Sequence, residues 1–318
     1  MAQSAAIQDA SYTRHLCRYG GLYNNLLELL LETVSGVSER AGKRMSDNGP
    51  YLGDSLLRLQ RVETDILKAV DAVCRENGLV YFLDGGTCLG AVRHGGFILW
   101  DDDADIGMPY DDYQKFLEIA PTALPEGYSL HTCTNSEGFS ALWSKVYKDG
   151  ARFIDANSKE ASSNQGIFVD IFPFFPMESD ERACSKQVRS CANWQYMSYL
   201  HAFSNPKIPA GTPLKPLVVL GCRIMHYTVA RAFVPAKCQR RLFQKARAEK
   251  PGTLWLDPCY ATWGRFERDW IFPTQAIDFG GVALQMPRDT DRFLTALYGS
   301  YMGAAARKRA LYALAGGS

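Results

Sequence analysis

A turn of small residues between two apolar segments constrains the fold of this chain more than any other feature. The stretch at residues 79–83 is β-branched and aromatic, which is typical of a buried strand. It leads into Gly85, Gly86 and Thr87, and a short helix is predicted at residues 89–93. Glycines let the backbone approach a ligand closely, and consecutive N–H groups at a turn entering a helix bind anions. The sequence therefore predicts a phosphate-binding turn between a strand and a helix.

Four aspartates follow shortly after this turn. Alternate side chains of a strand share one face, so Asp101, Asp103 and Asp105 would project together. Ala104 and Ile106 would then point into the core. Carboxylates held this close repel one another, and a hard divalent cation with oxygen ligands is the usual way to stabilise them. The spacing thus predicts a metal site beside the glycine turn.

A solvated loop is the alternative interpretation of the acidic run, and two glycines by themselves indicate only a turn. Apolar residues, however, surround the run, since residues 97–100 precede it and Ile106 and Met108 follow it. Such neighbours are unusual for a solvated loop. We therefore favour a site for a metal-bound nucleotide diphosphate.

An apolar strand at residues 166–173 contains a single carboxylate, Asp170. A buried carboxylate is costly unless it is paired or binds a metal. A satisfied core aspartate is the alternative. Because Asp103 and Asp105 are already predicted metal ligands, we favour Asp170 as a third ligand.

The remaining pattern predicts further helices and strands. A helix capped by Asp54 or Ser55 and stopped at residues 77–78 precedes the first strand. Another helix is expected at residues 111–119, closed by Pro121. Strands are expected at residues 128–132, 141–147 and 151–155, with a hairpin turn at residues 148–150.

Composition sets only broad limits on class and location. An apolar content of 47% over 318 residues excludes a disordered chain and allows a sizeable core. Residues 1–14 have no apolar run of signal-peptide length, and no apolar stretch is long enough to span a bilayer. The nine cysteines include no Cys-x-x-Cys pair, so neither a disulfide framework nor a zinc site is indicated. We expect a cytoplasmic protein.

Three blocks of the sequence resemble the LicD/fukutin branch of the nucleotidyltransferase superfamily. The resemblance covers most of residues 56–302 and leaves the N-terminal extension and the middle segment poorly matched. The blocks are residues 81–87 (YFLDGGT), 90–94 (GAVRH) and 96–103 (GFILWDDD); residues 166–173 (GIFVDIFP); and residues 278–281 (DFGG), 286–287 (MP) and 297–302 (LYGSYM).

The resemblance implies an α+β fold, in which a mixed β-sheet of nucleotidyltransferase type is flanked by helices and carries a helical middle segment. Asp101 would support the metal site, and either Asp101 or Asp170 is a candidate general base. The other implied roles are contacts of Gly85, Gly86 and Thr87 with phosphates, and coordination of Mg²⁺ or Mn²⁺ by Asp103, Asp105 and Asp170.

Characterised relatives move a phospho-alcohol, such as phosphocholine or ribitol phosphate, from its CDP-activated form to a sugar hydroxyl and release CMP. The resemblance therefore implies transfer, with CDP-choline as the favoured donor, to a cell-surface glycan such as teichoic acid or lipopolysaccharide, or to its precursor. A nucleotidyltransferase that adds NMP to a small molecule or protein is one alternative. An inactive member that binds nucleotide or glycan is another, and no nucleic acid partner is expected.

Cationic residues near the diphosphate should complete the site. Arg93 and His94 lie in the block after the glycine turn, and Lys145 lies on a predicted strand. The alternatives are a surface helix residue, a hydrogen-bonded scaffold histidine and an exposed strand position. Arg93 is the best candidate, because its planar guanidinium suits a phosphate.

A choline headgroup is normally held by aromatic faces. A ribitol phosphate donor would not need such a cage, so the transferred alcohol stays open. Core packing is the alternative for the aromatic residues that could form such a cage, and we favour it for at least half of them. The richest aromatic stretch contains Tyr260, Trp263, Phe266, Trp270 and Phe272.

The middle segment concentrates positive charge. Residues 185–250 contain twelve Lys or Arg and one acid, a net charge of +11, so the rest of the chain must sum to −10. Residues 217–234 are mostly apolar, with Arg223, Tyr227 and Arg231 on one helical stripe. This helix would either belong to the core or dock to an anionic membrane or a phosphate-rich acceptor.

We divide the chain into four regions on this basis. The N-terminal helical extension spans residues 1–54, with a leucine-rich helix at residues 22–40. The nucleotidyltransferase-like core at residues 55–180 is followed by a basic helical insertion at residues 181–250 and by the rest of the domain at residues 251–318.

Overall fold

The acidic run and the strands that carry Asp170 and Lys145 meet in one mixed β-sheet. The structure, a computed structural model, describes residues 53–151, 166–204 and 214–302. None of the helices in these ranges is long and apolar enough to cross a membrane. In chain order the elements are α1 (Gly53–Glu76), β1 (Phe82–Leu83), α2 (Gly85–His94), β2 (Asp105–Pro109), α3 (Tyr110–Ala123), β3 (Tyr128–His131), β4 (Ser144–Lys148), β5 (Ile167–Glu178), α4 (Glu181–Ala202), α5 (Lys215–Tyr227), α6 (Pro235–Ala246), β6 (Pro251–Leu256), β7 (Phe266–Glu267), α7 (Arg268–Ile271), β8 (Gln275–Phe279), β9 (Val282–Met286) and α8 (Thr290–Tyr298), with 3₁₀ turns at Val229–Ala232 and Pro258–Tyr260.

Strand β5 lies at the centre of the sheet. The strands run in the order β1-β2-β5-β4-β3, and β5 also pairs with β6, which pairs with β7. Strands β2 and β5 are parallel, whereas β4 and β5 are antiparallel. In this register Asp170 lies between Asp105 of β2 and Lys145 of β4. The predicted α+β fold with a mixed sheet is confirmed, and its register brings three candidate site residues together.

Two clusters of apolar side chains hold this sheet between the helices. The larger one surrounds Phe82, whose ring makes edge-to-face contacts with Phe174 and Phe272 at centroid distances of 4.9 and 6.0 Å. The smaller one packs α4 and α6 against the second half of β5. Ala104 and Ile106 are fully buried in the larger cluster, as the sequence predicted.

The prediction of one continuous acidic strand is wrong in its first half. Strand β2 begins only at Asp105, and Asp101 and Asp103 lie in the loop before it. The side-chain amide of Gln60 in α1 donates to the carbonyl oxygens of Ile98 and Asp101, at 3.1 and 2.9 Å. Those carbonyls are therefore satisfied by a helix side chain rather than by a neighbouring strand.

Other predicted boundaries also shift. Strand β1 is shorter than residues 79–83, and α3 continues through Pro121, because a proline in the last turn removes few helical hydrogen bonds. Helix α5 ends at Tyr227, so Arg231 does not share its helical stripe. The strand at residues 151–155 has only its first residue within the described ranges; the leucine-rich helix at residues 22–40 lies outside them.

Gly90 lies where α2 packs against the loop that follows it. A β-carbon at this position would lie 2.5 Å from the carbonyl oxygen of Gly96 and 3.1 Å from the backbone nitrogen of Ile98. Backbone atoms cannot rotate away, so Gly90→Ala should lower the free energy of unfolding by about 1–3 kcal/mol.

Gly221→Ala is the matched control, because nothing beyond its own helix lies within 4 Å of the added β-carbon. This variant should instead gain up to about 1 kcal/mol from helix propensity. Chemical denaturation measures both changes. Equal stabilities of the two variants would show that the contact between α2 and its following loop is loose.

Candidate active site

The glycine turn forms the first turn of α2 and faces the acidic loop. Gly85 has a φ of +49°, which favours glycine, and its N–H donates to the capping carboxylate of Asp84 at 2.7 Å. A β-carbon at Gly86 would lie 3.1 Å from Oδ2 of Asp101. One at Gly85 would lie 3.4 Å from Oδ2 of Asp105. The turn and the two carboxylates therefore lie side by side.

Thr87 fixes the turn to the sheet. Its buried hydroxyl oxygen accepts a hydrogen bond from the backbone N–H of Asp105 at 2.8 Å. This bond holds the start of β2 against α2. The hydroxyl keeps its own hydrogen to donate. The backbone N–H of Thr87, which has no intrahelical acceptor in a first helical turn, is also suited to bind a phosphate.

The carboxylates of the acidic run crowd one another in a partly buried site. Both carboxylate oxygens of Asp101 are buried and accept no hydrogen bond. Burial and the neighbouring carboxylates raise the pKa of Asp103 to about 7. Burial, and then the charge of Asp103, raises the pKa of Asp105 well above its ordinary value. Such groups hold protons near neutral pH unless a cation neutralises them.

Asp170 forms an ion pair with Lys145. The Nζ atom of Lys145 lies 2.7 and 3.0 Å from the two carboxylate oxygens, and the indole N–H of Trp143 donates to one of them at 2.7 Å. Lys145 exposes 14% of its side chain and lies 3.3 Å from the ring centroid of Phe168. Lys145 is therefore not an exposed strand residue, and Asp170 is satisfied by protein donors although it borders Asp105.

Metal binding by Asp103, Asp105 and Asp170 stays a prediction. Within the ranges that the structure describes, no group of three His, Cys, Asp or Glu side chains is arranged to hold a metal ion. The donors that fit a hard cation are the crowded carboxylates of Asp101, Asp103 and Asp105, two of whose oxygens lack any hydrogen-bond donor. Asp170 already accepts hydrogen bonds from Lys145 and Trp143.

Two carboxylates at this site were not predicted. Burial raises the pKa of Asp84, the cap of α2, to about 6. Glu63 of α1 is also buried, and burial followed by the charge of Asp103 raises its pKa well above the ordinary value. The sequence did contain a signal, because Leu59, Glu63 and Ile66 share the buried stripe of α1, where a carboxylate is unexpected.

Arg93 and His94 lie in the last turn of α2, at the end opposite the glycine turn. Arg93 lies eight positions after Gly85, which corresponds to roughly 12 Å along the helix axis. His94 is exposed, and its ring meets that of Trp100 at 6.5 Å. Among the three candidate cations, the structure places Lys145 beside the carboxylates. Phosphate binding by Arg93 and His94 stays a prediction.

An aromatic wall borders Asp170. The rings of Trp143, Phe172 and Tyr260 have centroids 5.1, 5.3 and 5.7 Å apart, and Trp263 lies 4.8 Å from Tyr260. Trp263 is 44% exposed, so one end of the wall is open to solvent. Four rings of the predicted cage pack in or against the core, namely Tyr260, Phe266, Trp270 and Phe272.

The C-terminal block closes the site from another side. The hydroxyl of Tyr298 in α8 lies 3.7 Å from a β-carbon position at Gly85. Burial, and then the charges of Asp84 and Asp105, raises the pKa of Tyr298 well above its ordinary value. The phenol therefore stays protonated near neutral pH. This role of Tyr298 was not predicted from the sequence.

Comparison with known proteins identifies the class of this domain. Residues 78–210 match the family model described as LicD/FKTN/FKRP, nucleotidyltransferase domain. Residues 78–210 of this chain are therefore similar to the nucleotidyltransferase domain of this family, and the resemblance inferred from the motifs is confirmed.

Particular relatives are similar over part of their length. Lipopolysaccharide cholinephosphotransferase LicD of Haemophilus influenzae is 29% identical over 148 residues, which cover 43% of this chain and 54% of that protein. Ribitol 5-phosphate transferase FKRP of Mus musculus is 29% identical over 116 residues, which cover 36% of this chain and 21% of that protein. FKRP of Homo sapiens is 28% identical over the same length. The match thus spans about half of LicD and about a fifth of FKRP.

The raised pKa values predict an unusual pH dependence of stability. Asp84 and Asp103, with pKa values of about 6 and about 7, hold protons in the folded state that the unfolded chain releases near pH 4. Stability of the metal-free protein should therefore fall as pH rises from about 4 to about 7, by up to about 1.4 kcal/mol per pH unit for each group. Thermal unfolding in the presence of a chelator measures this slope.

Two controls separate this effect from the other titrating groups. Asp103→Asn should flatten the slope, because the amide does not titrate. Mn²⁺ should raise the melting temperature more at pH 7.5 than at pH 5, since protons compete with the cation for these carboxylates. A slope that is the same in Asp103→Asn and wild type would contradict the prediction.

Proposed function

We propose that this protein is a metal-dependent transferase that moves a phospho-alcohol from a CDP-activated donor to a sugar hydroxyl and releases CMP. One observation carries the proposal: the anion-binding first turn of α2 lies directly against crowded carboxylates. A diphosphate with a bound cation would satisfy both. The activities named for LicD and FKRP, cholinephosphotransferase and ribitol 5-phosphate transferase, support a phospho-alcohol as the transferred group.

Mg²⁺ or Mn²⁺ is the cofactor that these side chains suit. Asp101, Asp103 and Asp105 would hold the ion after their side chains rearrange, because no three of the described carboxylates are already arranged around one point. Asp170 would lie at the border of the set. When bound, such an ion neutralises diphosphate charge and lowers the pKa of an attacking hydroxyl. A set of ligands made only of carboxylate oxygens suits a hard cation better than zinc.

The chain's own residues would position the donor and offset its charge. The N–H groups of Gly86 and Thr87, in the first turn of α2, would donate to phosphate oxygens. Lys145 would add a positive charge near the transferred phosphoryl group, where phosphoryl transfer depends mainly on positioning and electrostatics. Asp101 and Asp170 stay the two candidate bases; the carboxylate of Asp170 already accepts hydrogen bonds from Lys145 and Trp143.

Phosphocholine is the transferred group that we favour. A quaternary ammonium has no N–H to donate and binds to aromatic faces instead. The wall formed by Trp143, Tyr260 and Trp263 stands beside Asp170 and is open at Trp263. A ribitol donor would not need these ring faces, so the wall supports choline over ribitol.

The acceptor that we propose is a polyanionic or lipid-linked glycan, such as teichoic acid or lipopolysaccharide, or its precursor. The net charge of +11 over residues 185–250 would attract such an acceptor. Precursors of cell-surface glycans are often lipid-linked. We therefore place the protein in the cytoplasm, in peripheral contact with the inner face of an anionic membrane.

The carboxylates are tested by Asp103→Asn and Asp105→Asn. Each should lower CMP release from CDP-choline about a hundredfold or more, because a metal ligand and its charge stabilisation are lost. Each variant should also be at least as stable as wild type without metal, since one repelling carboxylate is removed. Asp65→Asn, exposed on α1, is the matched control and should keep full activity.

Product analysis of the same reactions distinguishes the proposed chemistry from its alternative. Phospho-alcohol transfer releases CMP from CDP-choline, whereas NMP transfer would release pyrophosphate from CTP. Near wild-type CMP release by Asp103→Asn at saturating Mn²⁺ would contradict the metal assignment. Pyrophosphate release from CTP without CMP release from CDP-choline would favour the nucleotidyltransferase.

The aromatic wall is tested by Trp263→Ala, which should leave the fold intact because Trp263 is half-exposed. Loss of one cation–π contact of about 0.5–2 kcal/mol should raise the KM for CDP-choline about 2- to 30-fold. The KM for CDP-ribitol, whose ribitol group carries no positive charge, should change little and serves as the internal control. Equal changes for both donors would mean that Trp263 supports the fold rather than the headgroup.

A further inference from the structure

The exposed apolar side chains of this protein are concentrated around one helix. In the described part of the chain, seven of the twelve large hydrophobic side chains that are exposed lie between residues 214 and 234. At about 100° of rotation per residue, four of them on α5 span an arc of only about 80°. We call them the α5 stripe: Leu217, Leu220, Ile224 and Tyr227, exposed by 61, 52, 56 and 67%.

The opposite face of α5 anchors the helix to α4. Cys222 and His226 are buried on that face, and Nδ1 of His226 donates to the carbonyl oxygen of Leu200 at 2.7 Å. Just after α5, the carbonyl oxygen of Ala230 accepts from Nδ1 of His201 at 2.9 Å. The α5 stripe therefore points outward from a helix that is held in place. Among the described residues, the side chains of the α5 stripe do not pack in the core.

Two arginines lie next to the α5 stripe. Arg223 projects from α5 beside the stripe, and Arg231 follows in the next turn; both are exposed. No Asp or Glu occurs in the sequence between residues 182 and 248. An outward apolar stripe with basic flanks and no acids is the composition of a helix that lies in the headgroup region of a membrane.

We propose that the α5 stripe inserts into the interface of an anionic lipid membrane, while Arg223 and Arg231 contact the phosphates of the headgroups. The apolar side chains leave water, and the arginines gain the attraction of the negative surface. This inference deepens the peripheral location proposed above and does not depend on the transfer chemistry.

Charge also argues against a second copy of this chain as the occupant. A symmetric dimer places the same surface patch of both subunits in contact. The basic flanks of two α5 stripes would then face each other and repel. A lipid surface instead supplies negative charge and an apolar layer together.

Cosedimentation of the full chain with vesicles tests the inference. The protein should bind vesicles in which about a third of the phosphatidylcholine is replaced by phosphatidylglycerol, more weakly as salt increases, and should bind pure phosphatidylcholine poorly. The double variant Leu220→Ser, Ile224→Ser should bind the anionic vesicles about tenfold less. The double variant Arg223→Glu, Arg231→Glu should lose the preference for anionic lipid.

Matched controls carry the same kinds of change elsewhere on the surface. Leu57→Ser removes a leucine that is 54% exposed on α1, and Lys115→Glu reverses a charge that is 64% exposed on α3. Both should bind vesicles as wild type does. Unchanged binding of anionic vesicles by the leucine–isoleucine double variant would overturn the inference.

Other occupants of the stripe would leave different traces. If wild type sediments as a dimer and the leucine–isoleucine double variant as a monomer, the stripe belongs to a second copy and the inference fails. If this variant unfolds at a lower temperature with unchanged vesicle binding, the chain's own residues cover the stripe, and the inference again fails.

CMP release with a soluble acceptor should be the same in wild type and all four variants. Absence of that release in wild type would count against the proposed function alone.

Discussion

The ion pair between Lys145 and Asp170 is the interaction on which the arrangement of the site depends. Asp170 lies in the central strand β5, opposite Asp105 of β2 on one side and Lys145 of β4 on the other. Without Lys145, two carboxylates would face each other across neighbouring strands in a partly buried position, where unpaired charge is costly. Removing one partner of a buried ion pair typically costs about 3–5 kcal/mol. The ion pair therefore lets Asp105, Asp170 and Lys145 lie side by side on three neighbouring strands, at the point where the first turn of α2 contacts the sheet.

The buried carboxylates of this site lower the stability of the fold. Asp101 keeps both carboxylate oxygens buried without a donor, and the pKa of Asp105 is raised by burial and by its neighbours. Such groups lower the stability of the fold unless a cation or protons neutralise them. The cost is offset by contacts that position the site, including the bonds of Gln60 to the acidic loop and of Thr87 to β2. Proteins commonly accept lower stability of this kind where activity requires it.

The site is assembled from more of the chain than the matched domain. The family model matches residues 78–210, but Gln60 and Glu63 of α1 precede that range, and Tyr260 and Tyr298 follow it. The aromatic wall in particular combines Trp143 and Phe172 from inside the range with rings from outside it. Any choice between choline and ribitol at this site would thus depend on residues beyond the matched domain. The division of the chain into four regions stays a prediction.

The sequence by itself determined the features that depend on local pattern. It predicted the strand, glycine turn and helix, the burial of Ala104 and Ile106 and the apolar strand around Asp170, because periodicity and turn chemistry act over a few residues. The α+β class was implied by the resemblance of the motifs to a known family. Only the tertiary structure decided which side chains meet. The bond of Gln60 that keeps Asp101 out of a strand, the pairing of Lys145 with Asp170 and the outward face of α5 join or separate residues far apart in sequence. Such contacts follow from strand register and helix docking, which the packing of the whole core fixes and no local pattern records.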